Sequence, residues 1–148
     1  MQEIIQLFAA FLGSLGFAVL FNIRGEKLVF AALGGLLSWG VYLGAGYIDN
    51  NPYFCGFTAS VLLTLYAECM ARVHKTPVTV FLVSAAIPLI PGAGLYRAMS
   101  SLMERDWVRF SNESSYTLLF AASMSAGITF TTIIYRMIKR WSSRQTRI

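Results

Sequence analysis

The sequence predicts an all-α integral membrane protein of about five transmembrane helices, the fourth broken by Pro88 and Pro91-Gly92, with a short amphipathic helix at the interface. Composition is the first observation behind this. The 148 residues are 56% hydrophobic and 13% charged, with a mean hydropathy of +0.59, whereas soluble domains carry about 25% charge. The second is where the charges fall. Five charge-free windows lie between Glu3 and Arg24, Lys27 and Asp49, Asp49 and Glu68, Lys75 and Arg97, and Glu113 and Arg136, each 18 to 22 residues long. About 20 helical residues cross the roughly 30 Å hydrocarbon core. Third, the windows lack the strict alternation of barrel strands, and an open sheet cannot satisfy its backbone in lipid.

The whole chain, 1–148, reads as a single transmembrane domain. Residues 4–21 form the first helix; no Lys or Arg precedes them, so the basic region of a cleavable signal peptide is missing and the helix is expected to be retained. The polar turn Asn22 to Lys27 leads into a second helix over 28–48. Asp49-Asn50-Asn51-Pro52 is a tight turn, followed by a third helix over 53–73 and the broken fourth segment over 76–96. Within 97–110, Met99, Leu102, Met103, Trp107 and Phe110 share one helical face and Arg97, Arg105 and Arg109 another, which predicts an interfacial helix. The fifth spanning helix covers 116–138.

Counting basic residues on alternate sides gives orientation. One side collects Arg24, Lys27, Arg72, Lys75, Arg136, Lys139, Arg140, Arg144 and Arg147, and the other Arg97, Arg105 and Arg109, nine against three. The expectation is an N-terminus outside and a C-terminus in the cytoplasm. The net charge of +5 is accounted for by the cluster after the last window, which points to anionic lipid at the bilayer surface and not to nucleic acid. Cys55 and Cys69, on one helix and fourteen residues apart, are separated by about 21 Å and cannot pair with each other.

The inventory argues against an enzyme. His74 is the single histidine, no second His or Cys stands at metal-ligand spacing, and the seven acids are scattered near membrane edges, so no metal or cofactor is expected. The informative stretch is Ile87-Pro88-Leu89-Ile90-Pro91-Gly92-Ala93-Gly94-Leu95-Tyr96-Arg97. The prolines deprive the carbonyls of Ser84 and Ile87 of helical partners, and Gly92 and Gly94 loosen the backbone beside the cut. Broken helices form substrate sites in transporters, where a half-helix N-terminus faces anionic groups; Arg97 would add a full charge. A kink that serves packing alone is the alternative.

Other residues have two readings as well. Glu68 is either an ion-pair partner of Arg72 four residues on or a carboxyl that carries a proton. Asp106, inside the apolar arc of the interfacial segment, is either paired with a nearby arginine or a second coupling carboxyl. Ser125 and Thr129 share a face of the fifth helix and either line a polar path or bond their own backbone. Gly40 and Gly44 form a GxxxG pair for close helix contact, within the chain or with a partner. Trp39 stands mid-helix, where interface anchoring explains it poorly.

Phe21-Asn22, Gly34-Gly35 with Trp39, and Pro88-Leu89-Ile90-Pro91-Gly92 with Tyr96 resemble, in that order, the threonine/serine exporter family, specifically its small single-half membrane subunit, over almost the whole chain. Arg24-Gly25 stands where many members carry a proline. The resemblance implies a multi-pass exporter of the bacterial cytoplasmic membrane for small amino acids (threonine or serine) or succinate-like dicarboxylates. It also implies a larger partner subunit that carries a cytoplasmic domain. The substrate site read from the broken segment comprises Pro88, Pro91, Gly92, Gly94, Tyr96 and Arg97, with Asn22, Trp39, Ser125 and Thr129 as candidates along the pathway. A non-transporting scaffold or regulatory subunit is the other reading.

Overall fold

A computed structural model describes the backbone of residues 1–145 and the side chains through residue 138; the side chains of Lys139, Arg140 and Arg144, and all of Arg147, lie outside the described residues. Every regular element among those residues is helical: α1 (Gln2–Leu20), α2 (Glu26–Gly46), α3 (Pro52–Val73), α4 (Val78–Ala86), a 3-10 turn (Ile87–Leu89), α5 (Gly92–Met103) and α6 (Trp107–Gln145). Four of these, α1, α2, α3 and α6, are long and apolar enough to cross a membrane; α4 with its 3-10 turn and α5, bent by 53°, make a fifth span if taken together.

Local chemistry sets the ends. Asn22, Lys75 and Arg105 adopt positive φ directly after α1, α3 and α5. At each, paired backbone bonds close the helix: Asn22 N–H donates to Val19 and Ile23 to Ala18, Lys75 to Arg72 and Thr76 to Ala71, Arg105 to Leu102 and Asp106 to Ser101. This is the Schellman arrangement, which satisfies the last carbonyls. Asn51 starts α3, its Oδ1 accepting from Tyr53 N–H at 3.0 Å, with Pro52 at the first helical position, where its missing donor costs nothing.

The helices meet where side chains are smallest. In the antiparallel α1–α2 pair a Cβ on Gly35 would fall 1.8 Å from Ser14 Oγ, and in α2 Gly34 lies under the Tyr66 ring and the Ala85 methyl. Tyr66 of α3 also donates its hydroxyl to Phe30 O at 2.7 Å. α3 and α6 run parallel, with Tyr53 near Tyr116 at one end, Ser60 against Gly127 in the middle and the Arg72 guanidinium 3.9 Å over the Tyr135 ring at the other. Two apolar clusters fill the bundle. One is built on Ala59, Leu63, Ala85, Leu89, Phe120 and Met124, the other on Ala18, Ala31, Ala67, Ala71 and Phe81.

Two sequence expectations change here. The interfacial helix expected over 97–110 is divided: α5 starts at Gly92 and ends at Met103, and α6 starts at Trp107, nine residues before the 116 expected for the fifth span. The divider is local. Arg105 closes α5, and Asp106 opens α6 by accepting Arg109 N–H on Oδ1 at 3.0 Å. The result is an antiparallel α5–α6 hairpin, stapled by Arg97 Nε donating to Glu113 Oε2 at 2.9 Å and by Gly94 against Thr117. Secondly, a Cβ on Gly40 would meet only Leu7, at ordinary contact distance, and one on Gly44 nothing within 4 Å, so the close contacts within the chain fall on Gly34, Gly35, Gly56, Gly94 and Gly127 instead.

Candidate functional site

The break in the fourth segment is a sequence of forced backbone choices. Proline at 88 has no N–H for Ser84 O, so α4 ends at Ala86 and tightens into a 3-10 turn closed by Ile90 N–H donating to Ile87 O at 3.2 Å. Ile90 is extended because a proline follows it. Pro91, at φ −76° and ψ 55°, then carries an inverse γ-turn in which Gly92 N–H donates to Ile90 O at 2.7 Å. Ala85 O is held from α2, since Ser38 Oγ lies 2.8 Å from it and 2.9 Å from Gly35 O and shares one hydrogen between them.

α5 begins at Gly92 with no side-chain cap. Pro91 has no donor, Gly92 N–H is used in the turn, and Leu95 N–H reaches Pro91 O, which leaves the N–H groups of Ala93 and Gly94 without backbone acceptors. Both residues line a cleft of about 280 Å³ walled also by Pro88, Leu89 and Pro91 from the break, Trp39 and Tyr42 from α2, Arg97 from α5, and Tyr116 and Phe120 from α6. That volume suits a solute smaller than the drug-sized ligands of about 300–1,000 Å³ pockets. The free N–H groups and the aligned dipole of α5 give this end of the cleft a positive potential, strengthened by low dielectric around it.

The aromatic wall is continuous. Trp39 stacks on Tyr42 with centroids 5.0 Å apart and planes 19° apart. Tyr42 meets Phe120 edge-on at 6.1 Å, and Phe120 lies 6.3 Å from Tyr116. Trp39 Nε1 donates to Gln6 Oε1 of α1 at 3.4 Å, which turns its polar edge toward α1. Behind it a second, mostly apolar cavity of about 320 Å³ separates Ala9, Ala10 and Gly13 of α1 from Ile87 and Pro88.

The structure gathers Pro88, Pro91, Gly92, Gly94, Arg97 and Trp39 around one cleft and leaves the other sequence candidates elsewhere. Tyr96 is 75% exposed and lies outside the lining. Gly92 and Gly94 have ordinary negative φ; Gly92 borders open space, and Gly94 is small because Thr117 Oγ1 would lie 2.4 Å from a Cβ there. Arg97 already has an anion beside it in Glu113. Asp106 is exposed and caps α6, and no ion pair involves it among the described residues. Asn22 is an exposed helix-capping residue whose Oδ1 accepts from Arg24 Nε. Ser125 and Thr129 are exposed on the outside of α6 and do not line the cleft. Glu68 is buried near the far end of α3, its Oε2 3.2 Å from Arg72 Nη2.

Sequence reasoning missed Ser38, Tyr116, Phe120 and Glu113 as parts of this place. For Glu113 a signal existed. Arg97 ends one apolar window and Glu113 begins the next, so both belong to the same membrane edge. Tyr116 and Phe120, one turn apart and one turn beyond Glu113, follow from it.

The comparison with known families gives one result: residues 6–134 match the family model described as "Threonine/Serine exporter, ThrE". No solved structure matches the chain.

Proposed function

The chain belongs to the threonine/serine exporter family, and from that premise we propose that it is the small membrane subunit of a secondary exporter whose bent helix holds a small carboxylate-bearing solute. It is a multi-pass membrane protein of exporter type, in contact with lipid. In the proposed reading it works in the bacterial cytoplasmic membrane, N-terminus outside and C-terminus cytoplasmic. There it exports threonine or serine, or succinate-like dicarboxylates, beside a larger subunit that carries a cytoplasmic domain. It is a carrier and not an enzyme.

The observation that carries the proposal is the meeting of the partnerless Ala93 and Gly94 N–H groups and Arg97 at one cleft, a half-helix end of the kind that takes a substrate carboxylate. The paired half supplies the remaining wall. Non-transporting scaffolding is the second reading, favoured by the Arg97–Glu113 staple and the Gly94–Thr117 contact, both of which tie α5 to α6. Efflux of threonine and succinate from loaded cells, normalised to the membrane content of the chain, separates them. Gly92 lines the cleft and a Cβ there meets nothing within 4 Å, so Gly92→Leu adds volume at the cleft without an immediate clash. It is expected to abolish efflux while leaving the amount of assembled protein unchanged. Normal efflux by Gly92→Leu sinks the cleft and favours the scaffold.

A further inference from the structure

The aromatic wall has chemistry of its own. Among the residues lining the cleft, Arg97 is the single charged side chain, and Glu113 beside it already balances that charge. A dicarboxylate therefore finds one cationic side chain and, elsewhere in the lining, the stacked pair of Trp39 and Tyr42, whose outer π surface is electron-rich and repels a second carboxylate. A cation is attracted by those same faces. The break contributes acceptors as well. Pro91 has no hydrogen for Pro88 O, and Leu89 O accepts none from Ala93, so both carbonyls lack backbone partners in residues that border the cleft. Trp39 keeps its indole N–H on Gln6 and one ring face on Tyr42, which leaves the outer face of the stacked pair as the π surface it can offer.

We infer that Trp39 and Tyr42 are the specificity-determining residues of the cleft, holding the ammonium group of a zwitterionic solute whose carboxylate lies at the start of α5. This rests on the reading above and narrows it, since it selects amino acids over dicarboxylates. It also gives Trp39 a reason to stand mid-helix.

The test uses inside-out membrane vesicles from cells that express the full chain together with its larger subunit, with labelled L-threonine uptake competed by unlabelled L-threonine, 3-hydroxybutyrate (the same skeleton without the amine) or succinate. A desolvated cation–π contact predicts that the two amine-free acids compete at least about tenfold more weakly than threonine. Trp39→Leu and Tyr42→Leu bring threonine down toward 3-hydroxybutyrate without weakening the latter, and Trp39→Phe retains part of the preference. If Trp39→Leu does not reach the membrane, Tyr42→Leu and Trp39→Phe still decide. Equal competition by threonine and 3-hydroxybutyrate in the unaltered protein, or a preference untouched in the leucine variants, overturns the aromatic assignment and leaves the carboxylate site standing. Vesicles that take up neither threonine nor succinate overturn both.

Discussion

Arg97 shows how one residue serves two readings that a substitution can separate. Its Nε is held by Glu113, and both side chains are partly exposed, a setting in which an ion pair contributes about 0–1 kcal/mol. Arg97 also lines the cleft, and among the described contacts its Nη1 and Nη2 have no partner. If they meet a solute carboxylate, Arg97→Ala removes a charge-assisted bond of about 1.5–3 kcal/mol, roughly a tenfold to hundredfold weaker apparent affinity in efflux kinetics. Arg97→Lys keeps the charge without the fork and recovers part of it. A scaffold predicts unchanged affinity and only a lower yield of protein in the membrane. The sequence showed Arg97 and the cut ladder because proline and charge act locally. It could not show Tyr96 pointing away, since side-chain direction depends on where α5 packs.

Helices α5 and α6 carry the element-scale lesson. The amphipathic pattern across 97–110 is present in the sequence, yet a three-residue turn divides it, because a positive-φ residue and an aspartate cap outweigh the hydrophobic period. Asp106→Ala should therefore cost about 1 kcal/mol of stability, read as a lower unfolding temperature in detergent, and Asp106→Asn should retain both stability and efflux. A proton-carrying Asp106 requires the asparagine variant to stop coupled efflux. Close packing within the chain falls elsewhere for a similar reason: GxxxG spacing identifies glycines able to approach a neighbour, and only the assembled bundle decides which do. Gly35→Val drives side-chain atoms into Ser14 and should destabilise by about 1–3 kcal/mol. Gly44→Val meets open space in the chain and should leave its stability unchanged, so a loss of assembled exporter there would place Gly44 at a partner's surface.

For the whole molecule, the order of the long apolar helices was readable because charge-free windows are set by bilayer thickness, and the bent α4–α5 pair, taken as one span, lets α3 and α6 run parallel as an alternating chain requires. Handedness across the membrane rests on the basic residues alone. In a variant lacking Cys55 and Cys69, a cysteine at Ser111 should react with an impermeant thiol reagent in intact cells and one at Lys75 should not; the reverse pattern inverts the orientation. The central claim is that the broken helix is where solute sits, and one labelling measurement reaches it directly. A cysteine replacing Ala93, exposed at the start of α5, is alkylated in inside-out vesicles by a small permeant reagent in the presence of increasing L-threonine, with a cysteine at Ser125 as the reference. The account predicts that threonine slows alkylation at position 93 in a saturable manner and leaves position 125 unaffected. Alkylation at position 93 that proceeds at one rate whatever the threonine concentration, in vesicles that transport threonine, contradicts it.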